Sequence, residues 1–275
     1  MNRILIATDF SSAADNALRT AAIIAKAANC GITLLHVRNS KSADFLENHG
    51  QSIDQLEDYL SSLAAKTASE HQVDCLSKIR QGSIFTEINE EAAKGEYGLL
   101  LIGTHGSKGF RQMLFGADLL KIARKCPVPL LATPGNATLI KNGIKRIVFP
   151  FGGHQKFENK VKAVAFLAQL FHSEILIYSI DRYAAKINKE TYENIDLAEA
   201  YFESLSIKTR RVEDEMTEFS VGYSKQTMNF AQKEDATLIA VMSTASDDFS
   251  FLSTVDKENL INNELGLSIL LTSDY

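Results

Sequence analysis

The sequence has no tryptophan, only four prolines, and three cysteines (Cys30, Cys75 and Cys126), none of them in a CxxC spacing. Three isolated cysteines favour buried free thiols in a reducing compartment over a disulfide framework or a structural metal site. There is also no excess of positive charge, since the net charge is −5 and the pI is near 5.7. This balance gives no electrostatic reason to bind nucleic acid or an anionic membrane.

Long hydrophobic runs are missing as well. No apolar stretch approaches the roughly 18 to 20 residues that a membrane span needs. The N-terminus enters a predicted strand at Arg3 and does not resemble a signal peptide. We therefore expect a cytoplasmic protein with no membrane partner. Its 275 residues are enough for one large domain or two of ordinary size.

The chain does contain a regular alternation of short apolar strands and amphipathic helices. Ser11 or Ser12 is expected to cap the first helix and Gly31 to end it. Such alternation is typical of an α/β domain with a parallel, doubly wound sheet, and it predicts a ligand crevice at the carboxyl ends of the first and fourth strands. Strands are predicted over 3–8, 32–37, 73–80, 98–102 and 128–132, and helices over 13–28, 52–70, 84–93 and the segment after Gly116.

The same pattern begins again in the second half of the chain. An internal repeat of this length predicts two tandem domains, which we place at 1–134 and 144–275 with a linker at 135–143. The apolar runs 146–150, 175–178, 238–241 and 267–272 parallel those of the first half, and helices are predicted over 156–170, 185–205, 218–232 and 255–263.

Three glycines follow the fourth strand and lead into a helix: Gly103, Gly106 and Gly116. Glycine lets a backbone approach phosphate closely, and the free N–H groups at a helix start attract an anion. An ordinary strand-to-helix loop explains scattered glycines equally well. The residues alone leave both interpretations open.

These motifs resemble those of the universal stress protein family, and the resemblance covers the first half of the chain. It implies two flavodoxin-like domains, each a five-stranded, mainly parallel sheet of order 3-2-1-4-5 with helices on both faces. One departure is Ala117, which stands where nucleotide-binding members have Ser or Thr. Ile4–Asp9 is similar to the family's first strand with its Asp, and Ile32–Val37 is similar to its second strand. Gly103-x-x-Gly106 with Gly116 is similar to its phosphate loop, and Cys126–Val128 is similar to its Cys-Pro-Val segment.

The resemblance further implies an adenine-nucleotide site for ATP or AMP, with Mg²⁺ if ATP is bound. Asp9 would contact the ribose or a phosphate-bound metal; the alternative is that it caps the first helix. Loss of the hydroxyl at Ala117 would weaken binding, since a hydrogen bond to a charged group contributes about 1.5–3 kcal/mol. The residues assigned to this site are Ala7, Asp9, Val37, Gly103, Gly106, Gly116 and Ala117.

The second half lacks this site. Side chains stand where bare backbone would meet phosphate, and Asp256 adds a negative charge at the helix start. We therefore expect no nucleotide there. In register with the first half, Asp9, Gly103, Gly106, Gly116 and Ala117 correspond to Gly152, Met242, Ala245, Val255 and Asp256.

Three hypotheses for function follow. The first is a regulatory protein of the stress response that binds ATP or AMP, and the second is a structural or interaction protein with vestigial sites. The third is a slow ATP hydrolase that uses Asp9 and a divalent ion. No catalytic or metal-binding motif occurs, and His105 has no histidine or carboxylate partner close in sequence, so no catalytic residue is assigned.

The fifth strand of each half is short, apolar and last in its domain. An exposed edge strand is normally covered or paired, and members of the family commonly dimerise through this strand. We expect 128–132 and 267–271 to pair within the chain as an internal pseudo-dimer, since tandem fusion holds the two copies at high effective concentration. The resemblance also allows a homodimer.

Overall fold

The computed structural model describes residues 2–38, 42, 52–104, 116–137, 143–152, 156–181, 189–215, 222–244 and 252–274. Its strands are β1 (Arg3–Ala7), β2 (Gly31–Arg38), β3 (Cys75–Gln81), β4 (Tyr97–Thr104), β5 (Leu130–Pro134), β6 (Arg146–Pro150), β7 (Glu174–Asp181), β8 (Thr209–Glu215), β9 (Leu238–Met242) and β10 (Ser268–Thr272). Its helices are α1 (Ser12–Ala28), α2 (Leu56–His71), α3 (Ile84–Ala92), α4 (Gly116–Lys125), α5 (Glu158–Phe171), α6 (Lys189–Ser204), α7 (Tyr223–Lys233) and α8 (Thr254–Ile261).

All ten strands form one sheet, in the order β3-β2-β1-β4-β5-β10-β9-β6-β7-β8. Each half has the predicted order 3-2-1-4-5, and the strands within each half are parallel. The two five-stranded sheets are not separate, because β5 and β10 pair as an antiparallel ladder with Leu131 opposite Leu270. This is the pairing of the two fifth strands that their edge position favoured.

Both faces of the sheet are covered by helices. In β1, Ile4 and Ile6 belong to one buried cluster and Leu5 to another, so successive side chains enter opposite cores. Residues of α1, α2, α5 and α6 pack in the first cluster, and residues of α3, α4, α7 and α8 pack in the second. Burial on both faces explains why these strands read as continuous apolar runs.

The first helix begins as predicted but ends differently. Ser11 is its N-cap, and the Ser11 hydroxyl accepts a hydrogen bond from the Ala14 N–H at 3.1 Å. The helix ends at Asn29, which takes the left-handed conformation (φ 50°) that Asn tolerates well. The expectation that Gly31 ends the helix is wrong, because Gly31 is already the first residue of β2.

One strand had no counterpart among the predicted elements. Strand β8 reads Thr-Arg-Arg-Val-Glu-Asp-Glu and lies at the edge of the sheet, so it lacks an apolar signature. Its two arginines form ion pairs instead: Arg210 pairs with Glu234, and the Arg211 guanidinium lies 2.6 Å from the carboxylate of Asp196 and also pairs with Glu199. Among the described residues, no helix is long and apolar enough to cross a membrane.

Candidate functional site

We call one edge of the first half the first crevice. It is formed by the carboxyl ends of β1, β2 and β4 and by the starts of α1 and α4. Ala7 lies between Leu35 of β2 and Ile102 of β4 in the parallel registers. Because parallel strands end at the same edge, Ala7, Asp9 and Gly103 all lie at this edge of the sheet. Ala7 is half-buried and Asp9 is exposed.

Asp9 is not the cap of the first helix, since that position belongs to Ser11. The Oδ1 atom of Asp9 accepts a hydrogen bond from the Ser11 N–H at 3.1 Å, which fixes the turn between β1 and α1. The alternative of a helix N-cap is therefore wrong. The carboxylate stays exposed at the rim of the first crevice.

Val37 is buried near the end of β2. Its neighbour His36 connects the end of β2 to the residues that follow β1. The His36 ring stacks on Phe10 with centroids 4.6 Å apart, and its Nδ1 lies 2.9 Å from the Thr8 carbonyl oxygen. Its Nε2 lies 2.9 Å from the Ser42 hydroxyl. Burial lowers the pKa of His36, so the neutral ring donates to Thr8 and accepts from Ser42. Sequence reasoning missed this role.

Gly103 is required by packing, whatever binds beside it. A Cβ atom at this position would lie 2.4 Å from the carbonyl carbon and oxygen of Ala13 and 2.6 Å from the nitrogen of Ala14. The end of β4 therefore approaches the first turn of α1 closely enough to exclude any side chain. Glycine at this position allows β4 and α1 to pack closely. The phosphate-loop interpretation did not include this role.

Gly116 begins α4, and its backbone N–H already has a partner. It donates to the Oδ1 atom of Asn262 at 3.1 Å, and a Cβ at Gly116 would lie 2.9 Å from Asn262 Nδ2. Asn262 directly follows α8, so the second half of the chain contacts the helix start that was assigned to phosphate. Ala117 is half-buried beside it. Gly106 and His105 lie outside the described residues.

We call the corresponding edge of the second half the second crevice. It is formed by the carboxyl ends of β6, β7 and β9 and by the starts of α5 and α8. Asp256 occupies the helix start there, as the sequence indicated. Its Oδ2 accepts from the Ser253 N–H at 3.1 Å and hydroxyl at 2.8 Å, and its Oδ1 accepts from the Ser224 N–H at 3.2 Å and hydroxyl at 2.9 Å. One carboxylate thus caps both α7 and α8.

Two lysines are buried at the second crevice. Lys160 is 3% exposed; its Nζ donates to the Pro150 carbonyl oxygen at 2.7 Å and lies 4.0 Å from the centroid of the Phe149 ring. Lys257 is 1% exposed and donates to the carbonyl of Thr244. Sequence reasoning did not single out either one. A signal existed for Lys160, which lies one helical turn before the apolar Val164 on the inward face of α5.

Burial lowers the pKa of both ammonium groups. The pKa of Lys160 falls to about 7, with a further contribution from the charge of Lys257. The pKa of Lys257 falls to about 8, with Arg124 as the next cause. Burial of a cation without a carboxylate partner favours the neutral amine. Among the described residues, no three His, Cys, Asp or Glu side chains are grouped so as to hold a metal ion.

Replacing Lys160 by methionine is expected to stabilise the protein near pH 7 by about 1–3 kcal/mol, because a buried charge is exchanged for an apolar side chain. The folded pKa of Lys160, about 7, lies below the ordinary value of 10.5, so the unfolded chain binds more protons between these two values. Wild-type stability should therefore rise with pH across this window.

Urea unfolding at pH 7, 8 and 9 measures this effect. Lys160→Met should reduce the rise and leave the part that comes from Lys257, whereas Lys162→Met on the exposed face of the same helix should leave the rise unchanged. A wild-type stability that is constant or falls between pH 7 and 9 would contradict the assignment of a depressed lysine pKa.

Comparison with known proteins gives a family match for the first half of the chain. Residues 1–134 match a model of the universal stress protein family. No curated protein sequence matches the chain. A universal stress protein from Archaeoglobus fulgidus DSM 4304 is similar in fold, with a TM-score of 0.72 at 13% identity over 99% of this chain and 96% of that one. Residues 1–134 therefore belong to the universal stress protein family, and the second half repeats the same fold.

Two further solved structures are similar. A putative universal stress protein from Pseudomonas aeruginosa UCBPP-PA14 gives a TM-score of 0.59 at 17% identity, covering 99% of this chain and 93% of that one. A universal stress protein family protein from Arabidopsis thaliana, solved with AMP bound, gives a TM-score of 0.38 at 19% identity, covering 50% of this chain and 94% of that one.

Proposed function

We propose that the protein is a regulatory component of the stress response that binds one adenine nucleotide, ATP or AMP, in the first crevice. The observation that carries this proposal is the contrast between the two crevices. The first crevice has three features: Asp9 offers an exposed carboxylate, Gly103 ends its strand without a side chain, and Gly116 is a glycine at a helix start. The second has Asp256, Lys160 and Lys257 in the corresponding region.

In this proposal each residue of the first crevice has a defined part. Asp9 receives hydrogen bonds from the ribose or supports Mg²⁺ when ATP is bound. Ala7 and the backbone of Val37 border the adenine. The backbone around Gly103 and Gly106 and the start of α4, with Gly116 and Ala117, face the phosphates. No group is assigned to bond cleavage, so the proposal is binding and signalling without catalysis.

A second candidate function is that of an interaction protein without a ligand. It is favoured by the Asn262 side chain, which already occupies the Gly116 N–H, and by the missing hydroxyl at Ala117. Calorimetric titration with ATP and AMP, each with and without Mg²⁺, separates the two candidates. The nucleotide proposal expects saturable binding; complete absence of heat and of competition between ATP and AMP would favour the interaction protein.

Gly106→Val is expected to abolish nucleotide binding, because branched carbons would block the approach of phosphate to backbone N–H groups. The loss should be complete at nucleotide concentrations that saturate the wild type. Unchanged circular dichroism would confirm that the fold is intact. Wild-type affinity in this variant would show that the phosphate loop is assigned to the wrong residues.

Asn262→Ala is expected to tighten ATP binding about three- to tenfold. The variant frees the Gly116 N–H, so the phosphate no longer competes with the Asn262 amide oxygen for that donor. The expected gain corresponds to one hydrogen bond, which contributes about 0.5–1.5 kcal/mol. Asn262→Asp is the matched control: it keeps the acceptor and adds a negative charge, so ATP binding should weaken below the wild-type level. Equal affinity in all three proteins would place the phosphates elsewhere.

We also propose that the domain boundaries lie at 134 and 144, with 135–143 as the linker. The β5–β10 ladder would then act as an internal dimer interface that covers both open edges within one chain. In this arrangement the first half would signal nucleotide occupancy and the second half would serve as its permanent partner. A cytoplasmic location is part of the same proposal.

A further inference from the structure

Within the residues that the structure describes, the second crevice holds more positive charge than its carboxylates balance. Lys160 and Lys257 are 3% and 1% exposed, and within the described part of the chain neither Nζ lies within ion-pair distance of a carboxylate. Each makes a hydrogen bond to a backbone carbonyl, from Pro150 and Thr244 respectively. An ammonium group has three N–H donors, so these contacts leave donors on both lysines.

The other charged groups that the structure describes around the two lysines do not neutralise them. Arg124 adds a third cation, since its Nε donates to the Ser243 carbonyl at 3.1 Å and its charge acts on Lys257. Asp256 is engaged by the serines that it caps. Asp274 is exposed and accepts from the Thr244 hydroxyl at 3.2 Å. Among the described residues, three cations therefore stand against two carboxylates, of which Asp256 is engaged in capping and Asp274 is exposed to solvent.

The helices that carry these lysines add to the imbalance. Lys160 and Lys257 both lie in the first turn of their helices, α5 and α8, which begin at the same edge of the sheet. The start of a helix carries a partial positive charge. Burial of an unpaired ammonium group is unfavourable, and a counter-anion at the same place would offset that cost.

We infer that the second crevice binds an oxyanion of the phosphate type, held between Lys160 and Lys257. Lysine suits this ligand, because an ammonium group acts as a point charge that donates several hydrogen bonds to phosphate oxygens. The ligand is either inorganic phosphate or the phosphate group of a small phosphomonoester, which offer the same chemistry. The site uses lysine side chains in place of a glycine loop, and it does not depend on nucleotide binding in the first crevice.

Titration calorimetry of the full chain with inorganic phosphate at pH 6.5, in chloride buffer, tests this inference. Gly106→Val is used as the background, so that the first crevice does not contribute. We expect one phosphate per chain, and at least a tenfold loss of affinity in both Lys160→Met and Lys257→Met. Lys162→Met, on the exposed face of α5, is the matched control and should keep the parent affinity.

A second arm uses glycerol 1-phosphate under the same conditions. Tighter binding than inorganic phosphate would identify a phosphomonoester as the ligand, and weaker binding would identify the free anion. In either case affinity should fall at least tenfold from pH 6.5 to pH 9.5, as the two amines lose their protons. This pH dependence separates a charged site from a structural role of the lysines.

Two results would overturn the inference. One is the absence of saturable binding of both phosphates to the Gly106→Val protein with its fold intact. The other is phosphate binding that persists unchanged in Lys160→Met and Lys257→Met. Either would mean that the two amines are neutral packing groups. Failure of ATP to bind the first crevice would not affect this test.

Discussion

Gly103→Ala is expected to destabilise the protein by about 2–4 kcal/mol, and Gly103→Val by more, enough to prevent folding of the first half. The reason is steric: the added Cβ would lie 2.4 Å from the backbone of Ala13, in the first turn of α1. Overpacking of a core usually costs about 1–3 kcal/mol, and backbone atoms yield less than side chains. Urea unfolding followed by circular dichroism measures the loss.

Gly95→Ala is the matched control for this prediction. Gly95 has φ +78° and no atom within 4 Å of the added Cβ, so the same substitution causes only left-handed strain. That strain costs about 1–2 kcal/mol. If Gly103→Ala were no more destabilising than Gly95→Ala, the close contact between β4 and α1 would not exist as described.

Leu130→Asp is expected to break the junction of the two half-sheets and to lower the free energy of unfolding by at least about 3 kcal/mol. Leu130 is fully buried and lies opposite Leu271 in the antiparallel ladder between β5 and β10. A carboxylate placed there has no partner and loses its hydration. The linker 135–143 should become the first site of cleavage in limited proteolysis.

Leu197→Asp is the control for charge alone, because Leu197 is 64% exposed on α6. It should change stability by less than about 0.5 kcal/mol and leave the proteolytic pattern unchanged. Equal effects of the two substitutions would mean that the β5–β10 ladder does not hold the halves together.

The positions of the buried strands could be predicted because they depend on local patterns, whereas their order 3-2-1-4-5 was implied by the resemblance to the family. Each buried parallel strand is a continuous apolar run, as in Leu99–Ile102, and the same runs recur in the second half. Strand β8 had no such signal, since this edge strand consists mostly of charged residues, among them Arg211, which pairs with Asp196 of α6. The helix end at Asn29 was missed because Asn and Gly both take the left-handed conformation.

The candidate site was less predictable, since its decisive contacts join distant residues. Gly116 and Asn262 are separated by 146 positions, and no local pattern reveals that the second half occupies this helix start. Gly103 was singled out as a glycine of the phosphate loop, whereas its contact with Ala13 depends on how β4 packs on α1. Lys160 shows the same limit. Lysine is usually exposed, so its place on the inward face of a helix did not predict that it is buried.

Photo-labelling with an azido-adenine nucleotide, followed by mass spectrometry of the labelled peptides, tests the central claim most directly. The account predicts saturable labelling of one site per chain, within residues 2–38 that contain Ala7, Asp9 and Val37. Excess ATP or AMP should prevent the labelling, and Gly106→Val should abolish it. Labelling of peptides from 143–274, or labelling that neither ATP nor AMP reduces, would contradict a single nucleotide site in the first half.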